Sequence, residues 1–213
     1  DEAALGEVLL ALESDTDFLI AVGSGSVTDT TRYVAFQTGR QFVSVATAAS
    51  MDGYTSVVAP LLNKGLKVNK PASYPKVIIC DLDIIKEAPY KMVISGFGDV
   101  LGKYIAKADW ILGRIINDEQ YCPVAAEMVS QAVQKCLDNL DGIRERTDEG
   151  MKSLIEALIL SGLTILIIGY TRSVASNEHN MAHYWEMMKL LRGEKAARHG
   201  TAVGVATGYV FKF

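Results

Sequence analysis

The sequence predicts an α/β part built on a parallel sheet, residues 1–88, followed by an all-helical part, residues 89–213. Three observations carry this expectation. Short apolar runs alternate with helix-patterned segments through the first third, the order that gives parallel strands joined by helices. After Pro89 the apolar residues recur at helical spacing and no strand-like run interrupts them. Caps and glycines separate these later segments.

Residues 2–13 show helical periodicity through Ala4, Leu5, Val8, Leu9 and Leu12. FLIAVG at 18–23 is a short apolar run stopped by glycine, as expected of a buried parallel strand. A helix pattern follows, starting near Thr28 or Asp29 and ending at Thr38, and FVSVAT at 42–47 is the second strand. NKGLKVNKPASYP, with its glycine, lysines and two prolines, reads as a turn or hairpin, and KVIICDLDII at 76–85 as the third strand. Helices are expected over 99–116, 124–140 and 148–170. The apolar run ALILSGLTILIIGY, 14 residues, falls short of the roughly 20 needed to span a bilayer, so it reads as a buried core helix. The next helix starts at an N-cap, Ser176, and stops at Gly193, with Met181, Trp185 and Met188 on an apolar stripe that faces the core.

Of the 213 residues 49% are hydrophobic and 22% charged, the balance of a globular protein able to bury a core. A net charge of −4 gives no field to gather nucleic acid or an anionic membrane, so neither is an expected partner. A phosphorylated ligand would need local cations or backbone N–H groups. Cys80, Cys122 and Cys136 are odd in number and match no CxxC spacing, which points to reduced thiols and a cytoplasmic location. The acidic start, DEAALGEVLLALES, is unlike a signal peptide.

All three histidines fall within 21 residues: His179, His183 and His199. His179 and His183 are i and i+4, on one helix face, a spacing that suits convergence on one ligand and equally suits two exposed rings. His199 precedes Gly200 and can return toward them on a loop or a new helix. Two imidazoles leave a divalent ion short of a carboxylate or thiolate. The best carboxylate is Asp99, after Gly96 and Gly98, where it also reads as an ordinary helix N-terminal residue. VGSGSVTDTTRY places Gly23 and Gly25 between a strand and a helix, an arrangement that can cradle a pyrophosphate on helix N–H groups or simply turn tightly. ATAASMDGYTS puts Thr47, Ser50, Asp52, Thr55 and Ser56 beyond the C-terminal end of a strand, where open α/β sheets bind ligands.

Taken in order, GSGSVTD, TAASMDGYTS, SGFGDVLGK, SNEHNMAHYWEM and HG resemble the glycerol-1-phosphate dehydrogenases, of the superfamily that includes the metal-dependent alcohol dehydrogenases, glycerol dehydrogenase and dehydroquinate synthase. SMDGY with SNEHNMAHYWEM is most like the bacterial branch, and the likeness extends over essentially the whole chain. It implies a dehydroquinate synthase-like fold: part of a Rossmann-like dinucleotide-binding domain, residues 1–88, then a helical metal- and substrate-binding domain, residues 89–213. It implies NAD or NADP as cofactor, held by Gly23, Ser24, Gly25, Ser26, Asp29, Thr47, Ser50 and Ser56. It implies one divalent metal ion (zinc or nickel, with iron in some relatives) on Asp99, His179 and His199, and substrate contacts from His183 and Asp52.

The implied reaction interconverts dihydroxyacetone phosphate and sn-glycerol 1-phosphate, in a homodimer or larger assembly. A glycerol or polyol dehydrogenase and a non-catalytic metal- or nucleotide-binding remnant are the alternatives. Lys64, Lys67, Lys70, Arg172 and Arg192 are the cations available to a substrate phosphate. One departure is GSGS where many relatives have GGGT or GGGS. The other is length: relatives begin with further strands before the glycine loop and continue with helices after HG, so the chain corresponds to the middle of such an enzyme. The residue that would separate NAD from NADP belongs to the missing front.

Overall fold

Three strands form the parallel sheet in the order β1, β2, β5: Phe18–Gly23, Gln41–Ala46 and Val77–Cys80. The computed structural model describes residues 2–64 and 66–212; Gly65 of the expected turn, with residues 1 and 213, lies outside them. Register pairs Gly23 with Ala46 and Ala46 with Cys80, so all three strands end at one edge and the loops that follow them share one side of the sheet. Helix α1 (Glu2–Ala11) precedes β1, and α2 (Gly25–Thr38) joins β1 to β2. The lysine- and proline-rich stretch is indeed a hairpin, β3 (Val58–Asn63) with β4 (Leu66–Pro71), antiparallel and separate from the main sheet.

Two expectations in this part change. KVIICDLDII is strand only to Cys80. Asp81 then accepts a hydrogen bond from the N–H of Asp83 (3.0 Å) and caps α3 (Leu82–Glu87), because a side-chain cap competes effectively with strand pairing. The strand β1 is not buried on both faces. Ala21 is fully enclosed, whereas Phe18, Ile20 and Val22 are 55%, 57% and 61% exposed, since nothing among the described residues covers that face.

The helical part comprises α4 (Tyr90–Asn117), α5 (Pro123–Asp138), α6 (Leu140–Glu145), α7 (Asp148–Ile168), α8 (Asn177–Leu191) and α9 (His199–Val210). Thr147 caps α7 by accepting the N–H of Gly150 (3.2 Å), and Gly169 ends it in the left-handed region. This helix is long and apolar enough by length and composition to cross a membrane. Met151, Leu154, Ile155 and Leu158 are instead enclosed in the main core, together with Ala46, Ala49, Tyr54 and Ile85 from the first part and Val93 and Val100 from α4. On α8, Trp185 is half-buried and meets Tyr209 of α9 edge-on, with ring centroids 6.1 Å apart.

The largest departure concerns α4. It begins nine residues before Asp99, at Tyr90, so Gly96, Gly98 and Asp99 lie inside a helix and not in a turn before one. Glycine inside a helix costs about 1 kcal/mol relative to alanine. Close packing explains it: a Cβ on Gly96 would lie 2.0 Å from the carbonyl oxygen of Ala49, and one on Gly98 would lie 2.4 Å from that of Gly200. From the other helix, a Cβ on Gly200 would lie 1.9 Å from the carbonyl oxygen of Ser95. Helices α4 and α9 therefore touch backbone to backbone, and Asp99 and His199 flank that crossing.

Gly200→Ala should lower stability by about 1–3 kcal/mol through overpacking. Gly208→Ala, on the same helix with open space around its Cα, should leave stability unchanged or raised by up to about 1 kcal/mol. Urea midpoints of the two variants check this; equal midpoints would remove the close crossing as the reason for the glycine.

Candidate active site

The glycine motif is the first turn of α2. The helix starts at Gly25, three or four residues earlier than its pattern suggested, with Ser24 at the cap position and no side chain bonded there. The N–H of Thr28 bonds the carbonyl of Ser24 (3.1 Å), which leaves the N–H groups ahead of it without helical acceptors. Gly23 has no room for a side chain, since a Cβ would meet Val27 at 2.7 Å. The start of α2 is thus an open helix end that could hold an anion.

The segment after β2 is fixed from three sides. Fully buried Arg32 of α2 donates to the carbonyls of Ser56 (2.7 Å), Tyr54 (3.1 Å), Val58 (3.3 Å) and Gly53. Gly96 of α4 sits against Ala49, and a Cβ on Gly162 of α7 would lie 2.4 Å from the carbonyl oxygen of Asp52. Tyr54 closes the loop on itself through Ala48 (2.7 Å).

This anchored segment delivers Asp52 to Asp99. The Asp52 N–H donates to Oδ2 of Asp99 (3.1 Å). The ammonium of Lys103, fully buried and one turn along α4 from Asp99, contacts Oδ2 of Asp52 (2.7 Å) and Oδ1 of Asp99 (2.8 Å). Burial pushes both carboxyls up, but Lys103, His179 and His199 outweigh it at Asp99 and hold that group well below the usual carboxylate range. At Asp52 burial and the charge of Asp99 prevail over Lys103, and its carboxyl is raised. Of two carboxyls sharing one ammonium, Asp99 stays ionised and Asp52 is the one that takes up a proton more readily.

Helices α8 and α9 bring the histidines together. The ring centroids of His179 and His199 are 5.2 Å apart, as are those of His183 and His199, which stack at 20°. Nε2 of His179 lies 3.5 Å from Oδ1 of Asp99. Its Nδ1 is 2.7 Å from Oε1 of Glu178, which also accepts the N–H of Ser176 (3.1 Å). Burial holds the His199 ring down at about 3, so it is neutral at physiological pH, and its buried Nδ1 has no hydrogen-bond partner among the described residues. One donor atom each from Asp99, His179 and His199 can be chosen so that all lie within 4.8 Å of one another.

These residues fit a divalent cation. The carboxylate is ionised, one imidazole is neutral with an unsatisfied nitrogen, and the other is oriented by a carboxylate on its far nitrogen, as metal-binding histidines usually are.

One cleft of about 540 Å³ joins these parts. Ser24, Gly25, Ser26 and Asp29 line it from α2, and Ser50, Asp52 and Ser56 from the anchored segment. His179, His183 and His199 complete the wall, with Asp99 enclosed behind them. Burial lifts the Asp29 carboxyl to about 7 against the pull of Arg32 and Lys67. Gly23 and Thr47 are set back from the wall: the N–H of Thr47 bonds the carbonyl of Gly23 (3.1 Å) and braces the turn.

Several residues of the site were missed from the sequence. Lys103 was available as the i+4 partner of Asp99, and Glu186 as the i+3 partner of His183, at 3.5 Å. Glu178 adjoins His179 but had no spacing to distinguish it from a first-turn acid. Arg32 stands at i+3 from Asp29, with Nε 3.7 Å from Oδ1, but its bonds to backbone carbonyls of a distant segment had no signal.

Residues 1–89 match the family described as iron-containing alcohol dehydrogenase. The chain is 39% identical over 207 residues to "Glycerol-1-phosphate dehydrogenase [NAD(P)+]" of Halalkalibacterium halodurans, covering 97% of this chain and 52% of that protein. Identity to the protein of the same name from Bacillus licheniformis is 41% over 204 residues, 96% of this chain and 51% of the relative. The chain thus spans about half the length of the curated relatives it matches. Its fold is that of a probable glycerol dehydrogenase from Sinorhizobium meliloti, with a TM-score of 0.80 at 20% identity over 97% of this chain and 59% of the other.

Glu178→Gln should weaken divalent-ion binding by about 10–100-fold while the fold persists. Zinc or nickel titration alongside circular dichroism checks this; unchanged affinity would show that Glu178 does not orient the ring.

Proposed function

We propose, from a likeness to glycerol-1-phosphate dehydrogenases that extends over nearly all of this chain, an NAD(P)-dependent, metal-requiring dehydrogenase that interconverts dihydroxyacetone phosphate and sn-glycerol 1-phosphate. The observation that carries the reading is that one cleft is lined both by the open N-terminus of α2 and by His179 and His199, with Asp99 of the same cluster behind them. A nucleotide cofactor and the substrate would meet there.

In this reading Asp99, His179 and His199 hold one divalent ion; two imidazoles and a carboxylate suit zinc, nickel and iron alike. Bound there, the ion supplies Lewis-acid polarisation of the substrate C2 oxygen, and the nicotinamide supplies or accepts the hydride. The N–H groups of Gly25 and Ser26, beside Gly23 and Ser24, receive the cofactor pyrophosphate. Asp29, Ser50 and Ser56 line the path from there toward the metal cluster, with Thr47 bracing the turn behind.

Asp52 and His183 act on the substrate hydroxyls. The raised carboxyl of Asp52 can hold a proton at an oxygen facing the cleft, while Lys103 fixes its position. Nδ1 of His183 is engaged by Lys67 (3.4 Å) and Glu186 (3.5 Å), so Nε2 is the nitrogen left to exchange a proton with substrate. The two groups thus frame the reacting carbon and carry protons without joining the ligand set.

Reduction of dihydroxyacetone phosphate, followed with NADH and with NADPH on zinc- or nickel-loaded protein, tests the proposal. His179→Ala should lose metal binding and turnover together. Turnover surviving in a metal-free His179→Ala protein, or its absence from the loaded wild type with both cofactors, would overturn it.

A further inference from the structure

A substrate phosphate needs local cations, because a net charge of −4 offers no general attraction. The structure separates the candidates. Lys64, Lys70 and Arg192 do not line the cleft. Arg172 is committed elsewhere, with Nε 2.9 Å from Glu119 and a terminal nitrogen donating to the carbonyl of Asp109 (2.8 Å). Lys67 alone of the five lines the cleft, projecting from β4 with Nζ 2.7 Å from Oε2 of Glu186 and 3.4 Å from Nδ1 of His183.

A further cation, overlooked in the sequence, shares that wall. Arg198 caps α9 immediately before His199 and lines the same cleft, and its side chain makes no hydrogen bond or ion pair among the described residues. Asn69 stands two residues along β4 from Lys67, on the same face of the strand, and also lines the cleft. Glu186 partly neutralises Lys67 and fixes its direction, and burial of Glu186 is outweighed by His183 and Lys67, which hold its carboxyl at about 2. Arg198 is the one that brings uncompensated charge.

We propose that Lys67, Asn69 and Arg198 form a phosphate subsite beside the metal cluster, which reads the phosphorylated end of the substrate. The inference rests on the reaction proposed above. His183 links the two arms: its ring stacks on His199, next in sequence to Arg198, while its Nδ1 touches Lys67. A phosphate between these groups would find an ammonium, a guanidinium and an amide, the donors that match its oxygens.

The holoenzyme carrying Arg198→Ala should lose roughly tenfold or more of its preference for dihydroxyacetone phosphate over dihydroxyacetone, through KM for the phosphorylated ketone. Arg198→Lys should recover part of it. Lys67→Ala should likewise weaken binding of inorganic phosphate to the metal-loaded protein, measured by calorimetry, with metal content unchanged in each variant. An unaltered substrate preference together with unaltered phosphate affinity would overturn the subsite. So would a loss falling on the cofactor KM, which would assign these cations to the nucleotide. A wild type inactive on dihydroxyacetone phosphate would refute the reaction, and phosphate titration of the same variants would still decide the subsite.

Discussion

The ammonium of Lys103 lies in the interior between two carboxylates that come from opposite parts of the chain, and much of the site depends on that placement. Asp99 shares its helix; Asp52 arrives on the segment after β2. An isolated buried ammonium is strongly disfavoured, and so is either carboxylate without it. The three charges are tolerable only together, so the loop bearing Asp52 and the helix bearing Asp99 must meet. One ion triad therefore ties the mouth of the parallel sheet to the histidine-bearing face of the helices. It also sorts the two acids: the one facing His179 and His199 stays ionised, and its neighbour is left able to carry a proton.

Close backbone packing makes the triad geometrically possible. Gly96 admits the Ala49 carbonyl, Gly162 admits the turn at Asp52, and Gly98 with Gly200 lets α4 and α9 cross at contact. Each glycine gives up helix propensity for an approach that no side chain would permit. Arg32 completes the support from beneath, its guanidinium spread over four carbonyls of the same segment. The polar residues of the cleft consequently stand on a scaffold with little freedom, the condition under which preorganised groups act most effectively.

Some of this was legible in the residues. The alternation of FLIAVG and FVSVAT with helix pattern identified the parallel strands, and the spacing of His179 and His183 placed both on one helix face. Other features misled for definite reasons. Gly96 and Gly98 before Asp99 look like a turn, because glycine as a turn former and glycine as a contact point are identical in sequence. DLDII after KVIIC looks like more strand, because two isoleucines suit either state until Asp81 caps the helix. Arg32 and Arg198 drew no attention, since the carbonyls that Arg32 bonds lie on a distant segment and Arg198 is marked only by a side chain without a partner among the described residues.

By itself the sequence determined the order of elements, the strand-to-helix turn at GSGS, and the inventory of Asp99, His179, His183 and His199, because periodicity, capping and ligand type are local properties. Only the tertiary structure decided that the histidines share one cleft with the GSGS turn, that Asp52 joins the Asp99–Lys103 pair, and that Glu178 orients His179. Those facts arise from contacts between segments far apart in the chain, or from burial that changes what a charge can do. Neither is written in the spacing of residues along the chain.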